Sequence, residues 1–259
     1  MTETETPIPE KSKTRGWEWV LPFFFHPRVT YTKINARGGG IWQVPILIII
    51  LASLLEVFVA GSIRKSAAAS GEIPLPPGYE YYTPEQQAQY MQAMSATSNS
   101  SFLYGLPAIA AVGKVLAAWL IIGGLLHLVI TLLGGRGDTG IAMNIVAWAG
   151  LPFAVRSIVR AAVIYFSHSL IDSPGLSGFV NLDGGIGTLF LSAFLSLIDI
   201  YLIWNAILLM IGVRVTTHLS FPKVIGGVLL TLIVVITIQV LINFGIAKLG
   251  GLTIIRPFY

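Results

Sequence analysis

WQVPILIIILASLLEVFVAGSI, residues 42–63, is a nearly unbroken apolar run with one ionisable side chain, Glu56, and it stops at the charged pair Arg64-Lys65. About 20 such residues, wound as a helix, cross the ~30 Å hydrocarbon core of a bilayer. The run therefore reads as a membrane-spanning helix with an interfacial charged end. Four further stretches read the same way: 107–133, 141–166, 187–212 and 222–249. The third is the weakest, because it holds Pro152, Arg156 and Arg160. The expected fold is all-α, an integral membrane bundle of five transmembrane helices occupying residues 42–249.

Composition agrees. Of the 259 residues 54% are hydrophobic and only 11% charged, where a soluble domain carries about 25% charged residues. The formal charge of +4 sits in particular loops and makes no single basic face, so no nucleic-acid partner is expected. The chain has no cysteine, which excludes disulfide scaffolds, cysteine metal sites and thiol catalysis.

Ahead of the first span, residues 1–16 are polar and proline-containing and read as a disordered cytoplasmic tail. Residues 17–41 read as an interfacial cytoplasmic segment. WEWVLPFFF (Trp17–Phe25) is too short to span but rich in rings that favour headgroups, which makes Trp17, Trp19, Phe23, Phe24 and Phe25 candidate interfacial anchors. The same segment would equally suit packing on the bundle's own end. Its layout is not that of a signal peptide.

Lysines and arginines set the orientation. Nine lie in the stretch before the first helix and in the loops that share its side, four lie in the loops of the other side, and Lys114, Arg156 and Arg160 fall within spans. The N-terminus is thus expected in the cytoplasm, with loop 64–106 and the tail 250–259 outside. In the outer loop GEIPLPPG (71–78) excludes regular structure, and Thr83-Pro84-Glu85 then starts a short helix to about Ala96. Its Tyr90, Met91 and Met94 share one side, suited to resting on the bundle or lipid surface or on a partner.

Ionisable residues inside a membrane are costly and face the bundle interior or water. Glu56, Lys114, Arg156, Arg160, Asp199, Gln239 and Asn243 are therefore the candidate site, an intramembrane polar cluster in the outer half of the bundle. Glu56 and Lys114 are placed about two turns from the outer ends of their helices. Asp199 is placed near the middle of the fourth span, on a stripe with Ser192 and Ser196. Two readings stand: interhelical ion pairs fixing the register of the bundle, or a net-positive pocket for an anionic or amphiphilic ligand. Pro152 is expected to kink the third helix and free a carbonyl for one of these partners. No HExxH, GxSxG, Walker loop or zinc-type histidine cluster is present, so no enzyme activity, metal or cofactor is expected.

PFFFHPRVTYTKI (Pro22–Ile34), Trp42 and Pro45 opening the first span, GGRGDTGIAMNIVAWAGLPFAV (Gly134–Val155) and IWNAILLMIGV with Trp204 and Gly212 are similar to the corresponding parts of the Ypt/Rab-interacting protein (YIP) family. The resemblance covers roughly Trp19 to Asn243 and has five spans in the expected order. The Asp-Leu-Tyr/Trp-Gly-Pro type motif of the eukaryotic branch is absent, so the chain looks more like the prokaryotic members, some of which are associated with ABC-type exporters. The resemblance implies a non-enzymatic multi-pass protein of a prokaryotic cytoplasmic membrane, an accessory or assembly subunit of a complex such as an exporter. The rivals are a small-molecule or lipid transporter working through the polar cluster, and a trafficking or membrane-shaping protein.

Overall fold

The computed structural model describes residues 16–37, 40–69, 79–97, 99–135, 137–171, 173–180 and 186–250. The N-terminal tail as far as residue 15, the proline- and glycine-rich run 71–78 and the C-terminal tail from residue 251 lie outside the described residues, as does the side chain of Met94. Every regular element among the described residues is helical. They are α1 (Val20–Phe25), α2 (Pro27–Arg37), α3 (Gln43–Ala69), α4 (Pro84–Thr97), α5 (Leu106–Leu132), α6 (Thr139–Ala149), α7 (Leu151–Ser167), α8 (Ile186–Leu195), α9 (Ile200–Thr217) and α10 (Phe221–Gly250).

Five stretches are long and apolar enough to cross a membrane: Gln43–Ala67, Ser101–Leu132, Thr139–Ser167, Ile200–Thr217 and Phe221–Asn243. Three correspond closely to the expected spans and two differ for identifiable reasons. The third is α6 and α7 in series, broken at Gly150. Pro152 sits in the first turn of α7, where its missing N–H costs nothing, and Phe153 N–H closes a tight turn on the Gly150 carbonyl at 2.9 Å. This least apolar span is also the central one. Some 67% of it is buried, against 22–39% for the others, so protein and not lipid surrounds its polar residues.

The fourth span starts later than the sequence suggested. Residues 187–212 do not form one helix: α8 ends at Leu195, and α9 begins at Ile200 with Asp199 as its extended N-cap. Asp199 is accordingly at a helix terminus, not mid-span, and no continuous helix carries the stripe of Ser192, Ser196 and Asp199. The carbonyls at the broken end of α8 are satisfied by a loop. Leu176 N–H reaches Leu195 O at 3.0 Å and Ile198 O at 3.2 Å. Gly175 makes this approach possible, at φ +64° and with the Ser196, Ile198 and Leu195 carbonyls where a side chain would be. The remaining 18 residues of α9 rise about 27 Å, enough for a crossing.

Spans of alternating direction bring the start of α3, the end of α5, the start of α6, the end of α9 and the start of α10 to one face of the bundle. Helices α1 and α2 pack there. Ile41 N–H donates to Asn144 Oδ1 at 3.0 Å, Tyr31 OH to the Ile145 carbonyl at 3.3 Å, and Lys223 Nζ to the Leu133 carbonyl at 3.0 Å. Under them lies the main core, in which Phe23, Tyr31, Leu126, Ile145, Trp148, Leu209 and Val228 are almost wholly buried. Burial pushes the Tyr31 phenol well above its ordinary range. At the opposite face α4 starts at Pro84, as expected. A reciprocal box caps it: Thr83 N–H donates to Gln86 Oε1 at 3.0 Å, and Gln86 N–H to Thr83 Oγ1 at 3.3 Å.

Candidate functional site

Arg156 and Arg160 are four residues apart, hence on neighbouring turns of α7. Helix α7 packs most extensively on α3 and also meets α9. Each arginine takes a different neighbour. Arg160 Nη1 lies 3.8 Å from Glu56 Oε1 of α3. Arg156 Nη1 lies 3.2 Å from Asp199 Oδ2, at the start of α9. The Asp199 side chain is 11% exposed and the other three about a quarter. Arg156 also stands 4.7 Å from the Phe153 ring centroid. The four charges thus form two interhelical pairs that tie α3, α7 and α9 together, the first of the two readings the sequence allowed.

Helix α3 runs on to Ala69, and a turn of π-helix (Ser101–Gly105) extends the second span ahead of α5, so Glu56 and Lys114 lie nearer the middle of their spans than two turns from an end. Lys114 is within electrostatic reach of Glu56, Arg156 and Arg160. It makes no ion pair among the described residues, and it is exposed on the outer surface of α5. Gln239 is half-buried and Asn243 exposed on α10, and neither is joined to the four paired charges. The predicted cluster is therefore a paired quartet, an outlying lysine and two separate amides.

The expected kink does free a carbonyl, but no arginine takes it. With Phe153 N–H turned to Gly150, the Ala149 carbonyl accepts from Asn205 Nδ2 at 2.7 Å in a buried contact. Asn205 is a functional-looking residue that sequence reasoning passed over. Its signal was the one amide side chain in the fourth span, flanked on both sides by apolar residues (Trp204 and Ala206).

The aromatic segment divides. Phe23 is fully buried, with Tyr31 and Trp148 ring centroids at 5.2 and 5.3 Å. Phe24 packs on Trp204 at 5.6 Å, and half-buried Trp19 receives the Arg37 guanidinium at 5.7 Å. Only Trp17 and Phe25 face outward, at 48% and 72% exposure. Phe23, Phe24 and Trp19 are thus core and seam residues, not interfacial anchors. The short helix α1 buries one side into the bundle, and only the other side can meet the membrane.

This five-span bundle, with a short aromatic helix folded back under it, is matched from residue 22 to residue 242 by the family model for the Yip1 domain. The chain belongs to the Yip1 domain family. No curated protein and no solved structure is significantly similar to it. In this Yip1 domain the matched region holds the buried side of α1, four whole spans, the fifth as far as residue 242, and both ion pairs.

Proposed function

We propose that this protein is a non-enzymatic accessory or assembly subunit of a complex in a prokaryotic cytoplasmic membrane, an ABC-type exporter being the complex that the family resemblance points to. The N-terminus lies in the cytoplasm in this reading, supported by the arginines and lysines gathered at the face where α1 and α2 pack.

The observation that carries it is the outer surface of α5. Ala110, Lys114, Ala117, Ile121, Gly124 and Leu128 are all exposed and recur at alternating spacings of four and three, the seam on which a second helix packs. Small residues in that seam let backbones approach closely, and beyond the adjoining backbone of α5 nothing lies within 4 Å of where a Gly124 side chain would be. An exposed ammonium near the middle of a span is costly against lipid tails. A carboxylate on a partner's transmembrane helix would satisfy it. The pairing of Glu56 with Arg160 and of Arg156 with Asp199 speaks against the transporter reading, since the charges that would line a pocket are spent on each other.

The test is copurification of the tagged full-length chain from its native membrane in mild detergent, wild type beside Lys114→Met. A membrane partner retained by the wild type and lost with the variant is expected. A chain that runs alone in both would overturn the reading.

A further inference from the structure

At the face where α1 and α2 pack, a cleft of about 490 Å³ opens between α2 and the end of α9, lined by Arg28, Val29, Thr32, Arg214, Val215 and His218. Its charge is of one sign. Neither α2 nor α9 contains an aspartate or glutamate within its bounds, and neither Arg28 nor Arg214 makes an ion pair among the described residues. Two guanidiniums, each a planar fork of donors, thus face the same space with no acceptor of opposite charge.

The walls are held in place. One N–H of Arg214 is fixed on the Leu219 carbonyl, which anchors the side chain while its other donors remain available. Thr32 Oγ1 donates to the Arg28 carbonyl at 3.0 Å, securing the turn of α2 that carries Arg28. His218 ends α9 in the left-handed conformation at φ 55°, so its ring stands at the corner where the chain turns into α10.

A second observation says what kind of anion fits. Leu21 and Phe25, four apart on α1, and Val29, in the first turn of α2, are exposed at 70%, 72% and 52%. They leave apolar side chains uncovered on both helices, and Val29 is itself a wall of the cleft. A free phosphate would use the arginines and leave these apolar side chains bare. A lipid uses both, with the phosphate between Arg28 and Arg214 and the acyl chains along Phe25 and Leu21.

We propose that this cleft binds the phosphate of an anionic phospholipid, so that the protein holds a headgroup at the same face as its N-terminal helices. A basic pocket at the membrane surface beside a transmembrane helix end is the arrangement that captures anionic headgroups.

The experiment is native mass spectrometry of the full chain from mixed micelles of phosphatidylglycerol and phosphatidylcholine, beside Arg28→Gln and His218→Gly. Both variants should fold: the Arg28 side chain is exposed, and glycine suits the left-handed position of His218. Preferential retention of phosphatidylglycerol is expected, and it should fall about fivefold with Arg28→Gln. Thermal unfolding with inorganic phosphate distinguishes the source of the anion, with no stabilisation expected at millimolar concentration. Equal retention of the two lipids, undiminished preference in Arg28→Gln, or stabilisation by inorganic phosphate alone would each overturn the proposal.

Discussion

The Asp199 carboxylate binds Arg156 across the interface of α7 and α9 while it caps its own helix: Oδ2 is 3.2 Å from Arg156 Nη1, and Oδ1 accepts the Leu202 N–H at 2.8 Å. One side chain thus fixes both where α9 begins and which turn of α7 it faces. The two roles separate by substitution. Asp199→Asn keeps an oxygen for the cap and loses the charge, whereas Asp199→Ala loses both. Alanine should cost about 1 kcal/mol more than asparagine, the usual worth of an N-cap, read as the difference between their thermal unfolding in mild detergent.

Removing one partner of a fully buried ion pair costs about 3–5 kcal/mol, and replacing both by apolar residues is often nearly neutral. With Arg156 a quarter exposed, the single variant Asp199→Leu should fall below that range. The double variant Asp199→Leu with Arg156→Met should recover the part of the loss due to the unpaired arginine, leaving the ~1 kcal/mol of the missing cap. A double variant no more stable than either single one would mean that the pair contributes little, and that the cap alone holds α9 in place.

Glycine 175 makes a sharper prediction. A methyl group there would lie 2.7–2.8 Å from three backbone oxygens at the end of α8, which cannot swing away as a side chain can. At φ +64° an alanine also pays the left-handed penalty of about 1–2 kcal/mol. Gly175→Ala should therefore detach the loop from α8, seen as faster amide exchange over residues 173–180 and 186–199 with the α3–α7 interface unchanged.

The five crossings could be read from the sequence because hydrocarbon imposes one length and one polarity on each of them, and α3, α5 and α10 obey it. The kink before Pro152 was legible too, but the break in the fourth span was not. Ser196 and Asp199 read equally well as a polar stripe on one continuous helix, and the break there depends on the Gly175 loop, which is distant in sequence. The charges were found by their cost, but not their partners, since pairing depends on which turn of α3 or α9 meets α7. Phe23 was misplaced for a related reason. A ring suits the headgroup layer and a protein core equally well, and only the fold of α1 under Trp148 decides between them.

Asn205 holds the carbonyl released at the Gly150 break, and its direction of donation matters. Only Nδ2 can donate to the Ala149 carbonyl, so Asn205→Asp, nearly identical in shape, replaces a donor by an acceptor. Leaving a buried carbonyl without its partner costs about 1–3 kcal/mol. Asn205→Asp should lose at least as much thermal stability as Asn205→Leu. An aspartate variant as stable as the wild type would show that the bond does not hold the break.

Tyr31 predicts the response to alkali. Its ring is buried against Phe23, its hydroxyl donates to the Ile145 carbonyl at 3.3 Å, and burial raises its pKa well above the ordinary value. In the unfolded chain the phenol titrates near pH 10, so above that pH the unfolded state has released a proton that the folded state still holds. Stability must then fall as pH rises from about 10 toward the raised folded value, and it is unaffected below about 10. Tyr31→Phe removes this titration. The variant should lose about 0.5–1.5 kcal/mol near neutrality for the missing hydrogen bond. Its stability should nonetheless decline less steeply than the wild type's between pH 10 and 11.5, with the two unfolding profiles converging. Parallel profiles across that interval would mean that the hydroxyl reaches water in the folded protein, and that α2 does not seal the core at this face.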